Sequence, residues 1–168
     1  MTEPKAVIVY TDGACIGNPG PGGYGAVLLF NGQRKELSGG FRRTTNNRME
    51  LLAAVVALET LKEPCAVTLY SDSQYLVDNY TNGYVHGWRK RGWKRSNKEP
   101  ALNADLWERI LQQCERHRVR FQWVKGHAGN TENERCDALS MQAATGKNLP
   151  PDEIYEQTQG RPTANRLF

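Results

Sequence analysis

A chain of 168 residues with 39% hydrophobic and 24% charged content is ordinary for a globular domain and long enough for one proper core. No apolar run approaches the ~18 residues that cross a bilayer, and Met-Thr-Glu-Pro-Lys is no secretory signal, so no membrane partner and a cytoplasmic location are expected. The net charge of +4 says less than its distribution: the segment 81–100 holds Arg89, Lys90, Arg91, Lys94, Arg95 and Lys98 against Glu99 alone, and the rest of the chain is close to neutral.

In chain order, Lys5–Thr11 reads as a strand of β-branched and apolar residues. Tyr24–Phe30 and Lys35–Arg43 read as two more, joined by the hairpin signal Asn31-Gly32. Over Asn47–Leu61 the residues Met49, Leu52, Ala53 and Val56 recur at helical spacing, and Lys62-Glu63-Pro64 ends the helix. Cys65–Tyr70 is a fourth strand, and a polar, helix-compatible stretch runs from Ser73 into the basic segment. Asn103–Cys114 predicts a helix with Leu106, Trp107, Ile110, Leu111 and Cys114 on one face. Val119–Val124 is a fifth strand, and Thr131–Ala144 a last helix opened by the capping box Thr131-x-x-Glu134. The prolines at 150, 151 and 162 and the sparse apolar pattern predict a loose tail over 146–168, leaving 1–145 as the domain.

Three strands on short turns, then strands alternating with helices, imply an α/β fold with a five-stranded mixed sheet: three antiparallel strands, then parallel ones, flanked by helices. A right-handed crossover lays the fourth strand parallel beside the first. The first ends YTDG (10–13) and the fourth YSDS (70–73), so Asp12 and Asp72 fall at the same sheet edge, ~4.8 Å apart by strand spacing. Two carboxylates so placed repel unless one is protonated or a cation lies between them, and an all-oxygen set suits Mg²⁺ or Mn²⁺. Glu50 enters from the first helix, although Asn47-x-x-Glu50 also reads as a cap. Asp137 sits on the last helix beside its apolar stripe, where boundary residues are commonest.

Other motifs fail on context. Gly20-Pro-Gly-Gly-Tyr-Gly25 matches GxGxxG but precedes a strand, not a helix, and no GK[ST] is present. The four cysteines form no CxxC pair, the histidines have no zinc spacing, and no histidine is placed to activate Ser71 or Ser73. A basic segment beside an acidic site points to a polyanionic partner, with a solvated charged face as the bland alternative.

The blocks TDGACIGNPGPGGYG (11–25), TTNNRMELLA (44–53), SDSQY (71–75), HGWRKRGWK (86–94), NADLW (103–107) and VKGHAGNTENERCD (124–137) resemble bacterial ribonuclease H type 1 from Val7 to Ala144. The resemblance implies the ribonuclease H-like fold and a monomeric, metal-dependent endonuclease cutting the RNA strand of RNA/DNA hybrids. It implies that Asp12, Glu50, Asp72 and Asp137 are catalytic ligands of two Mg²⁺ ions, with Mn²⁺ a possible substitute, and that products carry 5′-phosphate and 3′-hydroxyl ends. His127 in GHAG matches a histidine used for proton transfer or product release. Cys15, Asn18, Asn46 and Gln74 match positions near the RNA strand, and Thr45 and Asn47 positions near the DNA strand. The basic segment 81–100 matches the family's duplex-gripping handle, with Trp88, Arg89, Lys90, Arg91 and Lys94 as contacts; packing against the body is the alternative for the tryptophans. Tyr84 stands where many bacterial members carry tryptophan. A hybrid-binding module without turnover, and a DNA-processing nuclease of the wider superfamily, remain the competing readings.

Overall fold

The order of the strands decides where the acids meet. The computed structural model, which describes residues 3–158, contains β1 (Lys5–Cys15), β2 (Gly20–Phe30), β3 (Gln33–Thr44), α1 (Asn46–Thr60), β4 (Cys65–Ser71), α2 (Gln74–Thr81), α3 (Tyr84–Lys90), α4 (Ala104–Arg116), β5 (Arg118–Trp123), α5 (Thr131–Ala144) and α6 (Glu153–Thr158). The sheet runs β3-β2-β1-β4-β5. The pairs β1–β2 and β2–β3 are antiparallel, and β1–β4 and β4–β5 parallel. This is the mixed five-stranded sheet expected from the sequence.

Period-two alternation in β1 buries Val7 and Val9 under α1, while Ile8 on the other face is exposed. The helix α1 is buried almost all round, between the sheet and α4, and Ala53, Ala54 and Ala57 let its neighbours approach closely. Leu51, Leu58, Leu69, Leu76, Trp107 and Ile110 complete this core, each worth ~1.5–3 kcal/mol of burial. On the opposite face α5 sets Cys136 and Leu139 against Val27, with Tyr10 and Leu29 alongside.

Several boundaries differ from the sequence reading, each for a tertiary reason. The strand β1 extends past Thr11 to Cys15, and β2 begins at Gly20 rather than Tyr24, because their ladder continues through Asp12↔Gly25 to Cys15↔Gly22. Asp12 therefore lies within a strand and not at its end. The last helix is capped one residue earlier than expected: Asn130 Oδ1 accepts the Asn133 N–H at 2.9 Å, so the Thr131–Glu134 box is not the cap. At α1 the cap is Thr45, whose Oγ1 accepts the Arg48 N–H at 3.2 Å, so Asn47–Glu50 is not a capping box either.

The tail is not loose where it is described. Pro150 O accepts the Arg42 N–H at 2.9 Å, Asp152 and Tyr155 are buried, and α6 follows. The expectation for 159–168 lies outside the described residues. In the basic segment Val85 is buried, Trp88 and Trp93 are half-buried against the core, and the Trp88 ring meets Trp107 edge-on at 6.4 Å. Both tryptophans thus pack against the body of the domain. No helix among the described residues is long and apolar enough to cross a membrane.

Candidate active site

Parallel register between β1 and β4 pairs Thr11 with Ser71, so Asp12 and Asp72 occupy the next position on each chain. The chain turns after Asp72: Ser73 caps α2 by accepting the Leu76 N–H at 3.1 Å, and Ser71 Oγ accepts the Ser73 N–H at 3.0 Å. These bonds fix the backbone on both sides of Asp72. From the other direction α1 delivers Glu50 in its second turn. One carboxylate oxygen from each of Asp12, Glu50 and Asp72 lies within 4.8 Å of the other two.

Asp12 and Glu50 are each 4% exposed, and the electrostatics follow from that. Burial pushes the Asp12 carboxyl up to about 7; a hydrogen bond with Glu50 and the Gly13 N–H, 2.8 Å from Oδ1, oppose the rise, while Asp72 and Asp137 add to it. Glu50 is pushed well above the usual carboxylate range, first by burial and then by the Asp12 charge, so the two carboxyls titrate as a pair. Glu50 Oε2 is buried without a hydrogen-bond partner. An orphaned carboxylate oxygen among three converging acids is an unfavourable arrangement for a bare protein. A hard divalent cation with oxygen ligands resolves it, and the donor set fits Mg²⁺ or Mn²⁺.

Asp137, half-buried on α5, is close enough to raise the Asp12 pKa but stands outside the trio. His127 is exposed with φ 56°, in the turn after β5. That turn reaches the acids: a β-carbon on Gly126 would lie 2.8 Å from Asp72 Oδ2.

The residues expected to contact a duplex divide into two groups. Beside the acids, Asn18 Oδ1 accepts the Asn46 N–H at 3.1 Å, tying the glycine-rich turn to the start of α1. Cys15 directs its thiol to Gly20 O and Thr44 O at 3.4 and 3.3 Å, away from solvent. Asn47 and Gln74 are exposed, Asn46 is half-buried, and Thr45 uses its hydroxyl for the cap. On the handle, Lys90, Arg91 and Lys94 are exposed, and Arg91 donates to Lys94 O at 3.2 Å. Arg89 is different: it is tied to Glu108 at 2.7 Å and Glu115 at 3.0 Å, so its charge is already answered within the protein. Arg48 is a residue that sequence reasoning passed over. It is buried, and a cation among the polar residues that open α1 gives no local sign of that.

The family model for RNase H matches residues 4–145. The chain belongs to the ribonuclease H family. Curated relatives named Ribonuclease H include one from Rippkaea orientalis, 63% identical over 92% of this chain and 94% of its own length. Another, from Desulforamulus reducens, is 64% identical over 90% and 95%. Among solved structures, LC9-RNase H1, a type 1 RNase H with the type 2 active-site motif, superposes with TM-score 0.77 at 33% identity, covering 98% of this chain and 85% of that one. LC11-RNase H1 in complex with RNA/DNA hybrid gives 0.64 at 29% identity over 82% and 96%. As a ribonuclease H, the chain is a metal-dependent endoribonuclease acting on RNA/DNA hybrids, and the acidic cluster is where its metal fits.

Proposed function

We propose that the chain hydrolyses the RNA strand of RNA/DNA hybrids with two Mg²⁺ ions held by Asp12, Glu50, Asp72 and Asp137, leaving 5′-phosphate and 3′-hydroxyl ends. The observation that carries this reading is the convergence of Asp12, Glu50 and Asp72 with the unpartnered Glu50 Oε2. When bound, the ions supply an activated water and stabilise charge on the scissile phosphate and the departing 3′-oxygen.

The chain's own groups do the rest. Asp12 within β1 and Asp72 just past the end of β4 give the site its fixed floor. Glu50 closes it from α1, and its raised pKa makes loss of its proton part of metal loading. Asp137 adds negative charge from α5. His127, exposed on a turn beside Asp72, is placed to pass a proton to or from solvent or to assist product release. Asn18, Asn46, Asn47 and Gln74, with backbone from Cys15, contact the wide minor groove, where 2′-hydroxyls mark the RNA strand. Thr45 serves the DNA side. Lys90, Arg91 and Lys94 meet phosphates, which gives affinity and salt dependence without sequence preference.

The test is one end-labelled RNA presented as hybrid, single strand and RNA duplex, alongside a DNA duplex, each with Mg²⁺, Mn²⁺ and EDTA. Cleavage of the hybrid alone, abolished by EDTA, is expected. Binding without cleavage in either metal would make the chain a non-catalytic module, and cutting of the DNA duplex would move it to another branch of the superfamily.

A further inference from the structure

Behind the start of α1 lies a polar cluster that the catalytic reading does not use. Arg48, 3% exposed, sits between Asn47 and the Glu50 turn. Its Nε and Nη2 donate to Asp152 at 2.7 and 3.1 Å, and its Nη1 and Nη2 to Asp105 at 2.9 and 2.8 Å. Nη1 also reaches Asn103 Oδ1 at 3.4 Å. Asp152 Oδ2 accepts a third bond, from Thr44 Oγ1 at 2.7 Å.

Asn103 closes the handle loop in a left-handed conformation, φ 61°, and donates through Nδ2 to Tyr75 Oη at 3.1 Å. Tyr75 adjoins Gln74 on α2. One guanidinium therefore gathers the end of β3, the first turn of α1, the exit of the handle, and through Asn103 the first turn of α2. The clamp on it comes from the C-terminal segment. Besides the Arg42–Pro150 backbone bond, Arg42 pairs with Glu156 at 2.8 Å, and the Tyr155 ring lies 6.0 Å from the Arg48 guanidinium carbon.

We propose that the segment Pro150–Glu156 is a strap that aligns the two halves of the hybrid-binding surface, with Asp152 as a positioning residue acting through Arg48. This rests on the hybrid-nuclease reading above. What is joined is the ends of these elements, the ends that carry Thr45–Asn47, Gln74 and the handle. Arg48 faces two carboxylates in forked geometry, so removing the Asp152 charge leaves Asp105 to pull the guanidinium toward the handle side. The first turn of α1 then loses its fixed distance from Lys90, Arg91 and Lys94. Such a change acts on how the duplex is held, and the strand-borne acids are left where they are.

The experiment first measures hybrid cleavage by the unaltered protein. No cleavage there fails the nuclease reading; the variants are then compared by hybrid binding, and an unchanged Kd for Asp152→Asn overturns the strap. Given cleavage, Asp152→Asn and Thr44→Val are assayed well below their melting temperatures in saturating Mg²⁺. The strap requires Asp152→Asn to raise KM about five-fold with kcat within two-fold, and Thr44→Val to raise it about two-fold. Combining Asp152→Asn with alanines at Lys90, Arg91 and Lys94 is expected to shrink its own KM effect below two-fold, since misalignment to an absent grip has no consequence. A lower melting temperature with unchanged KM, or full additivity in the combined variant, overturns the proposal. Should Asp152→Asn not fold, Thr44→Val decides alone: unchanged KM rejects the strap.

Discussion

Gly13 lies so close to α1 that a β-carbon on it would sit 2.4 Å from the Glu50 amide nitrogen and 2.5 Å from the Met49 carbonyl carbon. Both neighbours are backbone atoms, which cannot rotate aside, so any side chain at 13 must move the helix that carries Glu50. Gly13→Ala is expected to cost about 1–3 kcal/mol of stability through overpacking. It is also expected to lower kcat on the order of 10²-fold, the usual result of a ~1 Å misplacement at a reacting centre. Chemical denaturation and single-turnover cleavage measure the two effects. Full activity would mean that Glu50 does not need the close approach.

Asp12→Asn should abolish cleavage and make the metal-free protein more stable. The Asp12 carboxyl titrates at 3.8 when unperturbed and at about 7 in the fold, so the unfolded chain releases its proton first as pH rises. The stability it contributes is whole below 3.8, declines between the two values and is lost above 7; Glu50 shifts in the same direction. In EDTA the variant should therefore melt above the parent at pH 7.5, by an amount on the order of 2–4 kcal/mol, and the gap should close toward pH 4. Mg²⁺ should raise the melting temperature of the parent and leave that of Asp12→Asn nearly unchanged. A variant that melts lower at pH 7.5 would remove the charge repulsion from the argument.

His117 supplies a pH dependence of opposite sign. The ring is buried; Nδ1 accepts the Cys65 N–H at 3.0 Å, and Nε2 lies 3.2 Å from Leu58 O, so the neutral ring protonated on Nε2 satisfies both. Burial, with the Arg116 charge, holds its pKa below the usual 6.5. Its contribution is complete above 6.5 and is lost as pH falls through the lowered folded value. His117→Asn keeps an acceptor for Cys65 without titrating. It is expected to cost about 0.5–1.5 kcal/mol at pH 7.5 for the missing Leu58 bond, and proportionally less near pH 5. Melting curves across that range test it, and parallel losses at both pH values would contradict it.

How far the sequence could be read depended on whether the deciding contact was local. The Asp12–Asp72 pairing was legible because two apolar runs of similar composition each lead into a Tyr-hydroxyl-Asp sequence, and β4 lies parallel beside β1 as the crossover rule expects, although β1 itself runs on to Cys15. Glu50 was legible as part of a motif block, though its spacing alone suggested a cap, the role that Thr45 in fact takes. The extension of β1 and β2 through a glycine-rich run was hidden because it is imposed by their mutual ladder and not by propensity. Asp152 was hidden for a stronger reason. An acid among prolines reads as solvent-exposed, and its partner Arg48 lies 104 positions away. Arg89 likewise could not be told from Lys90 or Arg91 until Glu108 and Glu115 were placed beside it.

That last distinction yields a prediction the charge count alone would miss. Alanine at Lys90, Arg91 and Lys94 together should raise KM for hybrid at physiological salt and flatten the dependence of log KM on log salt by up to ~2.7, at ~0.9 for each phosphate left without its cation. The catalytic rate constant should change much less, because none of the three touches the acids in the fold. Arg89→Ala removes the same formal charge, but its guanidinium already answers Glu108 and Glu115. It should leave the salt slope unchanged and alter stability only slightly, as befits solvent-screened ion pairs. Initial rates over a salt series for both proteins separate the cases. Equal slopes for the triple variant and the parent would reduce the handle to a solvated face, and a flattened slope for Arg89→Ala would mean that substrate breaks its ion pairs on binding.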